Sequence, residues 1–422
     1  MKAVNYRKIA VEVCRIILGV TFIFSGFVKA IDPVGGIIKI EDYFAAFNLT
    51  YFNSLSTLIS FNLFAIEFML GVCILMAVYR QLITLCMLAF MSFMTLLTLY
   101  LAIFNPVHDC GCFGDAIIIT NWETFFKNVF VLFPASVVTY IYHKQLQPIY
   151  TYKTYLFVVL IGYLYPVGFG IYNYVHLPIM DFRPFKIGVN IPDNMAFPED
   201  APLDEYLYIY QKDGKKKSFT PANSPVDDST WSFVEAKLVK AGYVPPILSF
   251  ELYNDEELNI SERLLSNANG VFLLVAPKIN KASDKHIEEI NNIYDFAIAH
   301  NMLFYGVTNS PKTDVNTWIN NTGAEYPFLF ADDVTLKTMI RSNPGLVLIK
   351  SGTILKKWHH NDLPSENEAD SVIQALLNAT DTSTGKEKSP WIWIIGCFVL
   401  PLSLVWVFDY LIRRKKNDNK TT

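Results

Sequence analysis

Two cysteines separated by one glycine occupy a polar stretch, "NPVHDCGCFGDA", between two long apolar runs. Cys110 and Cys112 could form a redox-active disulfide, contribute to a metal site or close a structural loop. A disulfide between residues two apart closes a very small ring, and a strained, exposed disulfide is easily reduced. As a structural link it would constrain almost no chain. The spacing therefore favours a redox pair, whose thiol pKa a protonated His108 could lower.

A metal site is the weaker alternative for this stretch. His108, Asp109 and Asp115 lie close to the two cysteines in sequence, but they do not complete a familiar ligand spacing. We therefore expect no metal, while the redox and structural interpretations of the cysteine pair both stay open.

The composition of the chain places these cysteines in a membrane protein. Of the 422 residues, 52% are hydrophobic and 15% aromatic, and the mean hydropathy is +0.28. The small net charge of -4 and the lack of a long basic stripe argue against a nucleic-acid partner. The other four cysteines lie in apolar runs, where cysteine usually behaves as a small hydrophobic residue: Cys14, Cys73, Cys86 and Cys397.

Six apolar segments approach the roughly 20 residues that a helix needs to cross a bilayer. The predicted spans are 9–30, 61–79, 82–104, 124–142, 155–175 and 389–412, the last with its apolar run starting at Trp391. The first is too long for a signal-peptide core and lacks a small-residue cleavage site after it, so we expect it to be retained.

Basic residues next to the spans predict the orientation, because they prefer the cytoplasmic side. Four clusters then fall inside: Lys2 with Arg7 and Lys8, Arg80, His143 with Lys144 and Lys153, and "RRKK" at 413–416. Both termini are predicted to be cytoplasmic, and the Cys110–Cys112 loop and residues 176–388 to face outward. In the inner membrane of a bacterium that side is the periplasm, where disulfides persist.

The outward region divides into two parts. Residues 181–248 predict a small irregular subdomain with a hairpin at Asp213–Gly214. Residues 249–380 alternate strands and helices and end in two strands around Ser351–Gly352, which predicts an α/β domain with a central sheet. "WHH", at the end of the last strand, is interpreted as a solvated strand end.

The element order of residues 249–380 resembles that of thioredoxin-like proteins of the TlpA type. In "NPGLVLIKSGTILKKW" the resemblance implies that Pro344 is a cis-proline beside a groove for a partner. Members with redox activity carry Cys-x-x-Cys after the first core strand, whereas this chain has "APKINKASDKHIEE" there. Without a thiol the domain cannot exchange disulfides itself, and we expect it to dock a partner or to pack against the membrane part.

The first four spans resemble the DoxX and MauE families. "RIILGVTFIFSGFVKAIDP" is similar to the first span of DoxX-like proteins, and "CGCFG" to the loop of methylamine utilisation protein MauE. The resemblance predicts a four-helix membrane domain over 1–145, followed by a fifth span within 146–180. It implies a role in forming or maintaining disulfides. Through DoxX relatives it also implies a quinone as the cofactor.

Four charged residues lie within or near the ends of spans, where a charge is costly unless it has a partner or a cavity: Arg15, Lys29, Glu67 and Lys127. The predicted orientation places Lys29, Glu67 and Lys127 in the outer half, next to the cysteine loop. They could be ion pairs between helices, or a polar pocket that receives a quinone or relays protons. Arg15 lies toward the inner half and could pair with Glu12.

Together these features predict an α-helical membrane bundle joined to a soluble α/β thioredoxin-like domain. The predicted function is a membrane component of periplasmic thiol–disulfide or quinone-linked redox chemistry, with a periplasmic thiol or envelope protein and membrane lipid as partners. The alternative is a non-enzymatic envelope scaffold, and the sequence leaves open whether the chain is an enzyme.

Overall fold

The computed structural model describes residues 6–378 and 391–421, so Lys2 and the segment 379–390 lie outside the described residues. The chain divides into two compact units. The membrane unit comprises the described residues of Met1–Arg183, Trp358–Leu363 and Ala379–Thr422. The α/β unit comprises Pro184–Lys357 and Pro364–Asn378. Each unit is described by itself.

The membrane unit is built almost entirely of helices. Its first seven are α1 (Tyr6–Ile31), α2 (Pro33–Ala46), α3 (Ser56–Met76), α4 (Arg80–Phe104), α5 (Asn121–Lys127), α6 (Phe133–Ile141) and α7 (Tyr155–Val175). The C-terminal helix covers Trp391–Thr421. Six helical segments of the described residues are long and apolar enough to cross a membrane, which confirms a multi-pass membrane protein.

Three features of these helices differ from the sequence prediction. Helix α2 begins at a readable signal, since Pro33 occupies its first turn and the Asp32 side chain accepts a hydrogen bond from the Gly35 amide. The fourth span is not one regular helix, because a π-helical turn at Asn128–Leu132 joins α5 to α6. The second span begins at Thr50 rather than at residue 61.

Helices α1 and α3 approach each other closely through glycines. A Cβ atom added at Gly71 would lie 2.7 Å from the Ile23 nitrogen and 2.8 Å from the Gly19 oxygen. One added at Gly26 would lie 2.6 Å from the Phe64 oxygen. Small residues of this kind let the backbones of membrane helices meet. The close contact brings the polar residues of the two helices within hydrogen-bonding distance.

The α/β unit follows with short helices and eight strands. Its elements are α8 (Ile191–Met195), β1 (Glu205–Lys212), β2 (Lys215–Phe219), β3 (Ser232–Lys240), α9 (Ser261–Leu265), β4 (Val271–Val275), α10 (Ile287–Ala299), β5 (Leu303–Thr308), α11 (Lys312–Thr322), β6 (Phe328–Phe330), α12 (Asp333–Met339), β7 (Gly345–Lys350), β8 (Thr353–His359) and α13 (Glu366–Asn378).

The main sheet has the strand order β6-β5-β4-β7-β8. Strand β4 is parallel to β5 and antiparallel to β7, and β5 is parallel to β6. All five residues of β4 are buried, as a central strand covered on both faces requires. Parallel strands next to a final hairpin are the arrangement of a thioredoxin-like fold. The peptide bond Asn343–Pro344 is cis, as that resemblance implies.

The smaller sheet has the order β2-β1-β3. The predicted hairpin is present, with positive φ at both Asp213 (51°) and Gly214 (76°), as a tight two-residue turn requires. The expectation of an irregular subdomain is wrong, because β3 adds a third antiparallel strand over Ser232–Lys240. Every residue of β3 is exposed. The strand therefore lacks the alternation of apolar and polar residues by which a half-buried strand is recognised in a sequence.

His359 corrects the interpretation of "WHH" as a solvated strand end, because only 3% of its surface is exposed. Its Nδ1 accepts a hydrogen bond from the Asn361 amide at 3.2 Å, which requires an unprotonated Nδ1. Burial, with smaller contributions from His360 and His176, lowers the pKa of His359 to about 3. The native state therefore holds a neutral imidazole well below the pH at which an exposed histidine gains a proton.

This histidine should make the protein sensitive to acid. Its pKa is lower in the folded than in the unfolded state, so the unfolded state binds more protons between about pH 6.5 and 3, and stability falls as the pH falls through that window. We expect His359→Asn, which keeps an acceptor for the Asn361 amide, to remove about 2 kcal/mol of the stability loss between pH 6.5 and 4.5. Denaturant unfolding at both pH values measures this loss. His300→Asn, at an exposed histidine, is the matched control, and an equal change in its pH dependence would contradict the prediction.

Candidate functional site

Cys110 and Cys112 are joined by a disulfide bond in the loop between α4 and α5. Gly111 between them has a φ of +65°, a left-handed conformation that favours glycine. Cys110 is buried, with 7% of its surface exposed, and Cys112 is half-buried. The two sulfur atoms therefore differ in how accessible they are to another protein.

Side chains from α1 and α2 hold the backbone of this loop. The Tyr43 hydroxyl donates to the carbonyl oxygen of Cys110 at 3.0 Å. The Ser25 hydroxyl lies 2.6 Å from the carbonyl oxygen of Cys112. Burial, followed by the negative charges of Asp109 and Asp42, raises the pKa of Tyr43, so its phenol stays protonated and can donate. Both cysteines thus have a carbonyl fixed by a neighbouring helix.

An ion pair and a backbone turn add to this anchoring. Lys39 of α2 pairs with Asp109 at 2.9 Å. The other carboxylate oxygen of Asp109 accepts the Gly111 amide at 2.8 Å. Asn121, at the start of α5, donates to the Val107 carbonyl at 2.9 Å. The loop is therefore supported from α2 on one side and from α5 on the other.

A buried ion pair lies below the loop. Lys29 Nζ is 2.8 Å from both carboxylate oxygens of Glu67, and the two side chains are only 10% and 5% exposed. The Ser25 hydroxyl lies 2.9 Å from Glu67 Oε2 as well as close to the Cys112 carbonyl. Its single proton can go to one of these two acceptors at a time. Ser25 therefore connects the ion pair to the backbone of the disulfide loop.

A small cavity of about 30 Å³ lies beside this pair. Its lining includes Ser25, Glu67, Cys112, Phe113, Lys127 and Asn128. The Lys127 ammonium lies 4.3 Å from the centre of the Phe113 ring, within cation–π distance. A volume of this size has room for one or two water molecules. A quinone ring does not fit in it in this conformation.

The structure thus brings together four of the predicted site residues, Lys29, Glu67, Lys127 and Cys112. Arg15 is not among them, because it pairs with Glu12 at 2.6 Å on α1. His108 is exposed, and its backbone carbonyl accepts a hydrogen bond from the Asn121 side chain. Within the described residues, no group of three or more histidine, cysteine, aspartate and glutamate side chains could hold a metal ion.

Three residues of the site were missed in the sequence. Ser25 precedes Lys29 by four residues, and this spacing places both on one helix face. Lys39 and Tyr43 have the same spacing on α2, but that helix itself was not predicted. Recognising the Asp32–Pro33 start signal would have predicted a further helix between the first two spans.

Pro344 belongs to the α/β unit. The Asn343 side chain next to it donates to the Lys278 carbonyl at 2.9 Å, and the Ser283 amide donates to the Asn343 carbonyl at 3.0 Å. Lys278 and Ser283 flank the segment that follows β4, where redox members of the thioredoxin-like class carry their cysteines. The cis-proline thus lies beside the segment that follows β4, and that segment contains no cysteine.

Comparison with known proteins gives matches to parts of the chain. The family model described as methylamine utilisation protein MauE matches residues 7–141. A domain of unknown function (DUF8463) matches residues 204–241, which contain β1 to β3. None of the curated proteins matches the chain.

One solved structure that matches is described as "a putative protein disulfide isomerase from Bacteroides thetaiotaomicron". It is 18% identical, with a TM-score of 0.25, and the match covers 30% of this chain and 85% of that chain. The strand order β6-β5-β4-β7-β8 is the feature that identifies the fold of the α/β unit.

The MauE match covers less than half of the chain, yet it contains every residue of the candidate site: the disulfide, the Lys29–Glu67 pair, α2 and the cavity. The residues that carry the candidate redox chemistry of this membrane protein thus fall within a segment, 7–141, that matches the methylamine utilisation protein MauE family.

Proposed function

We propose that the membrane unit exchanges disulfides with a thiol protein through Cys110 and Cys112, as a component of redox chemistry in the periplasm of a bacterium. The observation that carries this proposal is the Cys110–Cys112 disulfide next to a cavity that Cys112 shares with Glu67 and Lys127. A link between residues two apart adds little stability, so its support by two helices argues for a chemical role.

The proposed orientation follows the distribution of charge. Helix α4 begins at Arg80 and ends at Phe104, just before the disulfide loop. With Arg80, His143 and Lys144 on the cytoplasmic side, the loop lies on the periplasmic side of the inner membrane, and both termini are cytoplasmic. An oxidising compartment is where a disulfide of this kind persists.

The proposed exchange begins with a thiolate of the partner attacking one sulfur of the disulfide. The S–S bond breaks as a mixed disulfide forms, and the partner's second thiolate then releases the chain. The partner leaves with a new disulfide. Cys110 and Cys112 gain two electrons, and they take up the two protons that the partner's thiols lose. A membrane quinone would take two electrons and two protons to restore the disulfide, becoming a quinol.

Two cavity residues have the chemistry to assist. The Lys127 ammonium would favour the thiolate form of Cys112 over the thiol, as a nearby cation does. The Glu67 carboxylate can accept a proton through the cavity, while Lys29 balances its charge. The α/β unit, which has no cysteine, would dock the partner at the groove beside Pro344.

A non-enzymatic scaffold is the second candidate. It is favoured by the absence of a second cysteine pair near the first, and by a cavity too small for a quinone ring in this conformation. In that case the disulfide would be permanent, and the α/β unit would bind an envelope protein without any exchange.

The redox state of the two cysteines separates the candidates. We expect thiol trapping in native membranes to find Cys110 and Cys112 oxidised, and to find them reduced in cells that lack respiratory quinone. A gel shift with a maleimide reagent measures both states. Cysteines that stay oxidised in both cells and after addition of a dithiol protein would contradict the exchange and support the scaffold.

A further inference from the structure

A second, larger cavity lies at the other end of the membrane unit from the disulfide. Its volume is about 610 Å³, and its lining includes Tyr79, Arg80, Leu82, Leu85, His143 and Lys144. Helix α4 separates the two sites, because Arg80 begins it and the disulfide loop follows its last residue. A helix of this length spans a bilayer. The large cavity is therefore at the opposite membrane surface and independent of the exchange site.

Positive charge converges on this cavity. Arg80 and Lys144 carry full charges, and His143 adds a third basic side chain. Helix α4 also begins here, and no side chain caps its N-terminus, so its first amides bring further positive potential. The combination fits an anion.

The rest of the lining is apolar and aromatic. Leu82 and Leu85 follow Arg80 on α4 and are 57% and 46% exposed. Tyr79, Tyr152 and Tyr155 form a cluster with ring centres 5.0 to 5.6 Å apart. Tyrosines at this level are typical of the membrane–water interface. The anion that fits is therefore attached to acyl chains that can cover the two leucines.

We propose that this cavity binds the headgroup of an anionic phospholipid of the cytoplasmic leaflet. The phosphate lies between Arg80 and Lys144 at the N-terminus of α4, and the acyl chains run along Leu82 and Leu85. Basic pockets between membrane helices on the cytoplasmic side bind acidic headgroups in this way. Inorganic phosphate offers the same charge without chains, so it binds more weakly.

Arg80 also has a structural contact that the experiment must leave intact. Its Nη1 donates to the carbonyl oxygens of Leu146 at 2.8 Å and of Lys144 at 3.2 Å, which joins the start of α4 to the loop after α6. The contact uses only the backbone of Lys144. Lys144→Gln therefore removes a charge from the cavity without breaking this link, and it is the primary variant. Lys153→Gln removes an equal charge nearby, outside the lining residues, as the matched control.

The experiment titrates the detergent-purified full chain with dioleoyl phosphatidylglycerol, dioleoyl phosphatidylcholine or inorganic phosphate, and counts bound lipid by native mass spectrometry. We expect phosphatidylglycerol to bind at least tenfold more tightly than phosphatidylcholine. Lys144→Gln should weaken it about fivefold, the contribution of one basic side chain. Lys153→Gln should match the native chain.

Three outcomes would overturn the proposal. They are equal binding of the two lipids, unchanged binding in Lys144→Gln, and an equal loss in Lys153→Gln, which would indicate general charge attraction to the surface. Saturation by inorganic phosphate at the same concentration as the lipid would overturn the role of the acyl chains. A thermal unfolding midpoint within a few degrees of the native chain shows that Lys144→Gln is folded, so a loss of binding is then a loss of the site.

Discussion

Glu67→Gln should destabilise the membrane unit by about 3 to 5 kcal/mol, the cost of leaving one charge of a buried pair without its partner. Lys29 is 9% exposed and its ammonium contacts both oxygens of Glu67 at 2.8 Å. The amide that replaces the carboxylate keeps one acceptor but removes the opposite charge. Denaturant unfolding of the purified chain in detergent, followed by tryptophan fluorescence, measures the difference.

Two further variants make this prediction specific to charge. Lys29→Met with Glu67→Gln removes both charges and should recover most of the lost stability, since an apolar side chain in place of a buried ion often costs little. Lys39→Gln breaks the pair with Asp109, which has a similar distance of 2.9 Å but side chains 25% and 21% exposed. We expect that loss to be about 1 kcal/mol or less. Equal losses of stability in Glu67→Gln and Lys39→Gln would show that burial does not increase the contribution of the Lys29–Glu67 pair to stability.

The elements of this fold with strong periodicity or strong hydropathy were predictable from the sequence. The six spans follow from the length of their apolar runs. The order of β4 to β8 follows from strand-like and helix-like segments that alternate along the chain. Gly323 ends α11, and the turn at Ser351–Gly352 joins the last two strands. These signals are local, since each depends on residues within one element. The charge distribution gave an orientation in the same way, and that orientation stays a prediction.

The partners of the site residues were much less predictable. Nothing in the sequence pairs Lys29 with Glu67, because their contact depends on how closely α1 and α3 approach through Gly26 and Gly71. Lys39 and Tyr43 contact the disulfide loop from α2. This helix was not predicted, because two adjacent glycines, Gly35 and Gly36, are more typical of a loop. Contacts between distant segments are set by packing, which one sequence does not display.

Replacing either cysteine should lower thiol–disulfide exchange by at least about a thousandfold, because a single thiol cannot return to a disulfide. The two variants should nevertheless differ in what they accumulate. Cys112 is half-buried and lines the cavity with Lys127, while Cys110 is buried. The mixed disulfide forms on the more accessible sulfur, Cys112, and the partner's second thiolate resolves it in the native chain. In Cys110→Ser the lone Cys112 thiolate can still attack the disulfide of an oxidised partner, which breaks that S–S bond and joins the partner to Cys112, but the chain has no second thiol to displace the partner. Cys110→Ser should therefore trap a mixed disulfide, and Cys112→Ser should trap much less.

Non-reducing gels of native membranes, followed by mass spectrometry of any shifted band, measure this asymmetry and identify the trapped partner. Cys86→Ser is the matched control, since Cys86 is an exposed cysteine on α4 outside the cavity lining, and it should leave the band pattern unchanged. Equal trapping by both variants would mean that burial does not direct the attack. If neither variant trapped a partner and neither lost exchange, the disulfide would have no redox role, and the MauE-like segment would be left with the structural function of the scaffold.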